Sequence, residues 1–168
     1  MLESMEQVFP TRQPEQAHLR RMQESDLATV YQLETAGQPA PWPAWYFRRQ
    51  LRGGASCWVL ESGRTIAGFG IICFSGDQAH IMNLGVAPAY RRRGLGRRLM
   101  LHLLCVARDQ HCRHIWLEVR RTNRPAILLY RELGFRIKEI LRGYYATRNG
   151  TQSGLLMSRP VQMHSTEF

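Results

Sequence analysis

The strongest signal for ligand binding lies between Val86 and Leu99, where a predicted strand, a glycine-containing loop and a helix follow one another. Five arginines lie between positions 91 and 98, and Gly94 and Gly96 stand where the helix begins. The first turn of a helix leaves backbone N–H groups unpaired and carries a partial positive charge, so it attracts phosphate oxygens. Glycine lets the backbone approach such a ligand because it has no Cβ. These residues therefore indicate a phosphate-binding site.

Two familiar phosphate loops do not fit this junction. A P-loop requires Gly-Lys-Ser or Gly-Lys-Thr, and the sequence contains neither triplet. A dinucleotide fingerprint requires a third glycine at position 99, where the chain has Leu99. The alternative interpretation is a glycine-containing loop whose arginines form a solvated basic face.

Glu118 is a candidate general base. Alternation along residues 114–120 places it in mid-strand, on the same face as Trp116 and Arg120. An ionised carboxylate is costly to bury, so we expect partial burial to raise its pKa towards a value that suits a base. The alternative is an ion pair with Arg120 or another arginine on an exposed face.

Tyr130 is the second candidate for proton transfer. It shares the face of a predicted helix with Ala126 and Leu133. The alternative is a core tyrosine whose hydroxyl finds an ordinary hydrogen-bond partner. A phenol next to a leaving group would instead act as a general acid. The residue pattern alone leaves both interpretations open.

The elements that must position these groups alternate between strands and helices. The first helix is predicted to begin after an N-cap at Ser25. Strands are predicted over 18–22, 56–61, 65–74, 79–86, 114–120, 136–141 and 154–161, and helices over 26–33, 44–52, 94–108 and 125–133. The segment 65–74 is almost wholly apolar, which is typical of a strand buried on both faces. We predict an α/β domain of the α+β type, with one mixed, mostly antiparallel sheet of about seven strands flanked by about four helices.

The bulk composition is that of one globular domain. The 168 residues are 44% hydrophobic and 21% charged, close to an ordinary folded protein. We predict a flexible leader over residues 1–16, the domain over 17–161 and a flexible tail over 162–168. The sequence has neither a long apolar run nor a secretory signal, so we expect a cytoplasmic protein without a membrane partner.

The charge of the chain bears on its possible binding partners, and its cysteine content bears on disulfides and metal binding. The formal net charge is +10, and Lys138 is the only lysine among 23 basic residues. A basic surface attracts phosphates, acidic peptides and RNA, so charge alone does not choose among them. The four cysteines are expected to be buried, reduced thiols. We expect no metal, because the group Cys105, His111, Cys112 and His114 lacks the paired spacing of structural zinc sites.

Further motifs follow the glycine-containing junction in a fixed order. The stretch Arg91-Arg92-Arg93-Gly94-Leu95-Gly96, after Leu84-Gly85-Val86-Ala87-Pro88, resembles the acetyl-CoA loop (R/Q-x-x-G-x-G/A) of the GNAT superfamily of N-acetyltransferases. The resemblance continues in Trp116-Leu117-Glu118-Val119-Arg120, in Asn123, and in Leu129-Tyr130-Arg131-Glu132-Leu133-Gly134-Phe135. It extends from about residue 18 to residue 161.

This resemblance implies acetyl-CoA as the co-substrate and a split pair of central strands. In the family, loop amides hold the CoA pyrophosphate, and a bulge near Leu84 and Gly85 splays the preceding strand. The Val86 N–H would then polarise the thioester carbonyl. The cofactor-binding set that the resemblance implies is Leu84, Val86, Arg91, Arg92, Arg93, Gly94, Gly96, Arg97 and Asn123.

One subgroup fits better than the superfamily as a whole. Four features resemble the RimI-type ribosomal-protein-alanine N-acetyltransferases. They are Pro41-Trp42, the Leu-Glu-Val-Arg stretch, the spacing from Glu118 to Tyr130, and Arg142-Gly143-Tyr144-Tyr145. The resemblance implies Glu118 as base and Tyr130 as the acid that protonates the leaving thiolate. It places Trp42, Tyr144 and Tyr145 in the substrate site. The chain departs from this subgroup at Ser153, where an acidic residue is usual, so the acceptor stays open.

We therefore predict an acetyltransferase that acts on the N-terminal α-amine of a ribosomal or other protein, as a monomer or weak dimer and without a DNA partner. An α-amine has a pKa of about 8, so a modest base suffices. A lysine or a small-molecule amine is the alternative acceptor. A third hypothesis is a non-enzymatic adaptor that binds RNA or ribosomes through the arginines between 91 and 98, with steeply salt-dependent binding.

Overall fold

A computed structural model describes residues 17–162 of the chain, so the predicted leader and all but the first residue of the predicted tail lie outside the described residues. The strands of the described part are β1 (His18–Arg21), β2 (Ser56–Ser62), β3 (Thr65–Ser75), β4 (Gln78–Val86), β5 (His114–Arg120), β6 (Arg136–Thr147) and β7 (Gly150–Pro160). Its α-helices are α1 (Leu27–Gly37), α2 (Ala44–Arg52), α3 (Leu95–Asp109) and α4 (Arg124–Glu132). The predicted α+β class is confirmed.

The start of the first helix differs from the prediction. Ser25 lies inside a short 3-10 turn, Glu24–Asp26, whose N-cap is Gln23, so Ser25 is not a cap. Asp26 performs the capping, because its carboxylate accepts the Gln23 backbone N–H at 2.7 Å. The 3-10 turn leads directly into α1.

The last two strands are longer than predicted. They form a hairpin in which Thr147 pairs with Gly150, and its pairing is irregular between Leu141 and Tyr145. Gly143 lies within this irregularity with φ of 61°. The irregularity interrupts the alternation from which strands are read in a sequence, so the prediction stopped β6 at residue 141.

The sheet splits in the middle. Its order is β1-β2-β3-β4-β5-β7-β6, and only β4 and β5 are parallel neighbours. They pair along Gln78–Ile81 and His114–Leu117, and their later residues separate. A parallel pair requires a crossover connection, which α3 provides. The predicted splayed central pair is therefore present.

Helices cover both faces of the sheet. One apolar cluster joins the sheet to α3 and α4, and a second joins the other face to α1 and α2. The strand β3 is buried on both faces as predicted, with Phe69, Ile71 and Ile72 fully buried. No helix in the described range is long and apolar enough to cross a membrane.

An ion-pair cluster fastens β1 to the turn before α1. The Arg20 guanidinium donates hydrogen bonds to Asp26 at 2.7 and 2.9 Å and to Glu61 at 3.0 Å twice. Asp26 is buried, and these hydrogen bonds from Arg20 hold the pKa of its carboxyl below the usual value despite that burial. The cluster therefore stabilises the start of α1 most strongly when Asp26 is ionised.

Candidate active site

A cavity of about 1020 Å³ opens where β4 and β5 separate, between the N-terminus of α3 and α4. The predicted cofactor residues on its wall are Leu84, Val86, Arg91, Arg92, Gly94, Gly96, Arg97 and Asn123. Arg93 does not line the cavity, because its guanidinium lies over the ring of Tyr90, 5.4 Å from the ring centroid. The structure thus brings together all but one of the predicted set.

The N-terminus of α3 presents free amides to this cavity. Gly94 is the N-cap and has φ of 77°, a left-handed conformation that glycine adopts without strain. The first helical hydrogen bond here runs from the Arg98 N–H to the Gly94 carbonyl at 3.1 Å, so the preceding amides of the helix have no helical acceptor. Gly96 faces the cavity between these amides. This geometry suits a diphosphate.

The Val86 N–H points into the gap between the split strands. The next N–H group, that of Ala87, donates a hydrogen bond to the Ala67 carbonyl on the β3 side at 2.8 Å. Successive N–H groups of an extended strand point to opposite edges, so the Val86 N–H is directed away from β3. The Arg91 side chain donates to the Val86 carbonyl at 3.2 Å and fixes the loop against the strand end.

The bulge in β4 lies earlier than predicted. Ile71 pairs with Asn83 and Ile72 pairs with Ile81, so the extra residue is Met82 and not Leu84 or Gly85. Position 85 is glycine for a different reason: a Cβ there would lie 2.7 Å from a ring carbon of Phe69. A buried aromatic ring, rather than a strand distortion, therefore requires this glycine.

A second cavity of about 290 Å³ adjoins the first. Every predicted catalytic and substrate residue lies on its wall, namely Trp42, Glu118, Tyr130, Tyr144 and Tyr145. Tyr130 and Asn123 line both cavities and so mark where the two meet. Asn123 also caps α4, because its side-chain oxygen accepts the Ala126 N–H at 3.3 Å.

Glu118 is half-buried and is held by two hydrogen-bond partners. His80 Nε2 lies 2.7 Å from Oε2, and the Tyr144 hydroxyl donates to Oε1 at 3.0 Å. Burial alone would raise the pKa of Glu118, but the hydrogen bonds and charge of His80 together with the Tyr144 hydroxyl outweigh it, so the pKa lies below its usual value. The predicted upward shift is wrong, and so is an arginine as the ion-pair partner.

The sequence did not indicate His80 as a site residue, although the strand that carries it was predicted. It stacks on Trp116 with ring centroids 3.6 Å apart and planes at 4°. The two residues are register partners in the parallel β4–β5 pair, which the sequence alone does not specify. The local signal was a single titratable residue inside a mostly apolar strand.

Tyr130 is buried and keeps its proton. Its side chain belongs to the core with Leu133, and its ring lies 6.0 Å from that of Phe135. Burial raises the pKa of the Tyr130 phenol to about 12. The residue is therefore both the predicted core tyrosine and a protonated group at the junction of the two cavities.

Two of the predicted substrate residues, Tyr144 and Tyr145, form an aromatic wall. Tyr145 lies under the Arg120 guanidinium at 4.3 Å, and Tyr144 meets it edge-on at 5.0 Å. A Cβ at Gly154 would lie 2.7 Å from the Tyr145 ring, so this glycine admits the ring. This close aromatic contact lies one residue after Ser153, where the chain departs from the RimI-type pattern.

Comparisons with known proteins agree with this geometry. The sequence matches the Acetyltransferase (GNAT) family over residues 22–135. The chain belongs to the GNAT family. It is 33% identical over 142 residues to the [ribosomal protein bS18]-alanine N-acetyltransferase of Escherichia coli, covering 84% of this chain and 96% of that protein. It is 38% identical over 110 residues to the N-alpha-acetyltransferase RimI of Mycobacterium tuberculosis, covering 62% and 68% of the two chains.

The solved structures include the Escherichia coli ribosomal-protein-alanine N-acetyltransferase. It superposes with a TM-score of 0.82 at 31% identity, and the match covers 90% of this chain and 98% of that one. Ard1 of Thermoplasma volcanium matches with a TM-score of 0.77 at 25% identity, over 87% of this chain and 98% of that one. The GNAT family and the RimI-type resemblance predicted from the motifs are confirmed.

As a GNAT enzyme, this protein is an acetyl-CoA-dependent N-acetyltransferase. The larger cavity fits that co-substrate: unpaired helix amides and arginines face one end, and the split strands open the other towards Tyr130. All four cysteines are free; Cys57 and Cys112 are buried as expected, whereas Cys73 is only partly buried and Cys105 is exposed. Residues 17–162 contain no group of three or more His, Cys, Asp or Glu side chains arranged to hold a metal ion.

The smaller cavity holds a second buried carboxylate that the sequence did not reveal as a site residue. Glu34 on α1 is only 2% exposed, and burial raises the pKa of its carboxyl. Its Oε1 accepts the Trp42 backbone N–H at 3.0 Å, which ties the loop after α1 to the cavity wall. This contact explains how a proline-rich loop brings Trp42 to the wall of the smaller cavity.

Proposed function

We infer that this chain acetylates the N-terminal α-amine of a protein, by direct transfer from acetyl-CoA. The observation that carries this inference is the position of Glu118 and Tyr130 on one small cavity that opens into the larger one. A base and an acid at these positions would perform the two proton transfers of amine acetylation, removal of a proton from the acceptor and protonation of the leaving thiolate. The arrangement is also that of an enzyme, so we set the predicted basic RNA adaptor aside.

Glu118 is proposed to act as the base. Its ionised carboxylate accepts a proton from the acceptor ammonium, directly or through a water, and frees the nitrogen lone pair for attack. A carboxylate whose pKa lies below its usual value is fully ionised at neutral pH, which suits proton acceptance from an α-ammonium with a pKa of about 8.

The other site residues are proposed to serve the thioester. Acetyl-CoA supplies the activated acyl group. The Val86 N–H would donate to the carbonyl oxygen as negative charge develops there. The Tyr130 phenol would give its proton to the departing sulfur. The amides that open α3, with Arg91, Arg92 and Arg97 nearby, would hold the diphosphate, and Asn123 would contact CoA.

The acceptor is proposed to be a protein that begins with a small residue, such as the alanine named for the Escherichia coli relative. The smaller cavity has about 290 Å³, and Trp42, Tyr144 and Tyr145 reduce the space beside Glu118. Such a cavity accommodates a methyl side chain better than an aromatic one.

Peptide acetylation followed by mass spectrometry tests this proposal. We expect acetyl transfer to a peptide with a free N-terminal alanine, slower transfer when tryptophan replaces that alanine, and none when the α-amine is blocked. A peptide with a blocked N-terminus and an internal lysine is the matched control. Transfer to that lysine, or to a polyamine and not to the free N-terminus, would overturn the proposed acceptor while leaving the acetyltransferase chemistry intact.

A further inference from the structure

His80 touches the base from outside the acceptor cavity. It lines neither of the two cavities described above, yet its Nε2 lies 2.7 Å from Glu118 Oε2. Its side chain is 21% exposed, compared with 17% for Glu118. The imidazole therefore stands behind the carboxylate and leaves the cavity side of Glu118 open to an acceptor.

The imidazole is fixed in one orientation. Trp116 supports its face through the parallel stack at 3.6 Å. Cys73 Sγ lies 4.0 Å from Nδ1, within range of a weak hydrogen bond. Burial raises the pKa of the Cys73 thiol, so the sulfur keeps its hydrogen. An ionised carboxylate only accepts hydrogen bonds, so the 2.7 Å contact with Glu118 requires a hydrogen on Nε2.

Two donors therefore compete with burial at the same carboxylate. Desolvation favours the neutral acid of Glu118, while His80 on Oε2 and Tyr144 on Oε1 favour the ionised form. If one donor is removed, the desolvation of Glu118 is unchanged and fewer hydrogen bonds stabilise its ionised form, so the neutral acid becomes more populated. A neutral carboxylic acid is unable to accept the acceptor's proton.

We propose that His80 is a positioning residue that keeps the Glu118 carboxylate ionised and directed at the acceptor. This inference rests on the proposed role of Glu118 as the base. Besides His80 and Tyr144, the neighbouring elements supply no side-chain donor to this carboxylate among the described residues: Cys73 faces His80 from β3, and Tyr145 lies beyond Tyr144 on β6. On β7, the register partners of residues 118 and 116 are Leu156 and Ser158, which do not titrate in the accessible pH range.

The direct test is a titration that does not depend on activity. The side-chain carboxyl of Glu118 is followed by ¹³C NMR in the full chain and is assigned by its absence in Glu118→Gln. We expect its titration midpoint to move to higher pH in His80→Leu and to stay in place in His114→Leu, a control at an exposed histidine on the same sheet. An unchanged midpoint in a folded His80→Leu variant would overturn the proposal.

A kinetic test asks whether the shift matters for transfer. The ratio of kcat/KM between His80→Leu and the unchanged protein is measured against pH with one peptide, because the ratio cancels the peptide's own titration. We expect the ratio to fall by about tenfold from the alkaline to the acidic end of the range, the size of one hydrogen bond to a charged group. A purely structural defect would give a ratio that does not vary with pH.

Two further variants complete the design. His80→Gln restores an N–H donor without a titrating ring, so we expect it to recover most of the activity lost in His80→Leu. In a Glu118→Gln background, His80→Leu should lower the residual rate by less than about twofold, because the two residues act as one unit. A full additional loss there would show that His80 acts independently of Glu118. If the unchanged protein acetylates no peptide, the proposed function fails, and the NMR titration still decides the role of His80.

Discussion

Replacing Tyr130 with phenylalanine removes one hydroxyl and leaves the rest of the site in place. The ring packs in the core with Leu133 and lies 6.0 Å from Phe135, contacts that phenylalanine keeps. We therefore expect the free energy of unfolding to change by less than about 1 kcal/mol, since no apolar volume is lost. CoA affinity should also persist, because the helix amides and arginines of the larger cavity are untouched.

Turnover, in contrast, should fall steeply. General acid catalysis contributes about 100-fold to 10,000-fold to a rate, which corresponds to about 3 to 5 kcal/mol in the activation barrier. Burial raises the pKa of the Tyr130 phenol to about 12, so the proton is present throughout the neutral range and its loss should be felt at every pH tested. The loss in kcat should therefore be independent of pH, unlike the loss expected for a change at the base.

The assay follows thiol release from acetyl-CoA in the presence of a peptide, with CoA binding measured separately by calorimetry. Tyr31→Phe is the matched control, because Tyr31 lies on α1 and lines neither cavity. A Tyr130→Phe variant that binds CoA and turns over at the unchanged rate would remove Tyr130 from the mechanism. A variant that also loses CoA binding would point to a structural role instead.

Two other substitutions probe the elements that support the site. Asp26→Asn should lower the free energy of unfolding at neutral pH by about 2 to 3 kcal/mol, because it weakens buried charge-assisted hydrogen bonds. The control Glu24→Gln, at an exposed ion pair, should lower the free energy of unfolding by less than about 1 kcal/mol. The pKa of Asp26 is lowered in the folded state, so its contribution is present above the unfolded-state pKa and should vanish as pH falls through the folded-state pKa, which denaturation at several pH values would detect. Gly154→Ala should displace Tyr145, whose ring carbon would lie 2.7 Å from the new methyl group, and raise the peptide KM more than the acetyl-CoA KM, whereas Ser153→Ala should leave both nearly unchanged. Equal peptide KM values for the two variants on this strand would contradict that account.

Short-range patterns were enough to predict the helix N-terminus that forms the proposed cofactor end of the site. The strand, loop and helix around Gly94 follow one another directly, so a helix N-terminus facing a strand end is visible in the sequence. The positions of Glu118 and Tyr130 were likewise predicted from period-two and helical spacing together with the family motifs. Their meeting at one small cavity depends on the packing of α4 against β5, in one apolar cluster that contains Tyr130, Leu117 and Val119, and the spacing of residues does not encode this packing.

Features that depend on contacts between distant segments were missed or misassigned. The partner of Glu118 is His80, 38 positions earlier in the chain, and this contact reversed the predicted direction of the pKa shift. Gly85 was assigned to a bulge, but its place is required by the ring of Phe69 on the neighbouring strand. Both errors arise because a side chain's environment is set by the register of its neighbours and not by its own strand.

The split in the sheet links these observations to the chemistry. Where β4 and β5 pair, His80 lies beside Trp116 and reaches Glu118 on the next residue of the same strand face. Where they separate, the Val86 amide loses a strand partner and faces the larger cavity instead. The end of the paired region therefore places an ionised carboxylate on the smaller cavity and the Val86 amide on the adjoining larger one. The Tyr130 phenol on α4 lies where the two cavities meet. Burial in the core keeps this phenol protonated. The opposite protonation states of the proposed base and acid thus follow from their surroundings: hydrogen-bond donors around one and apolar packing around the other.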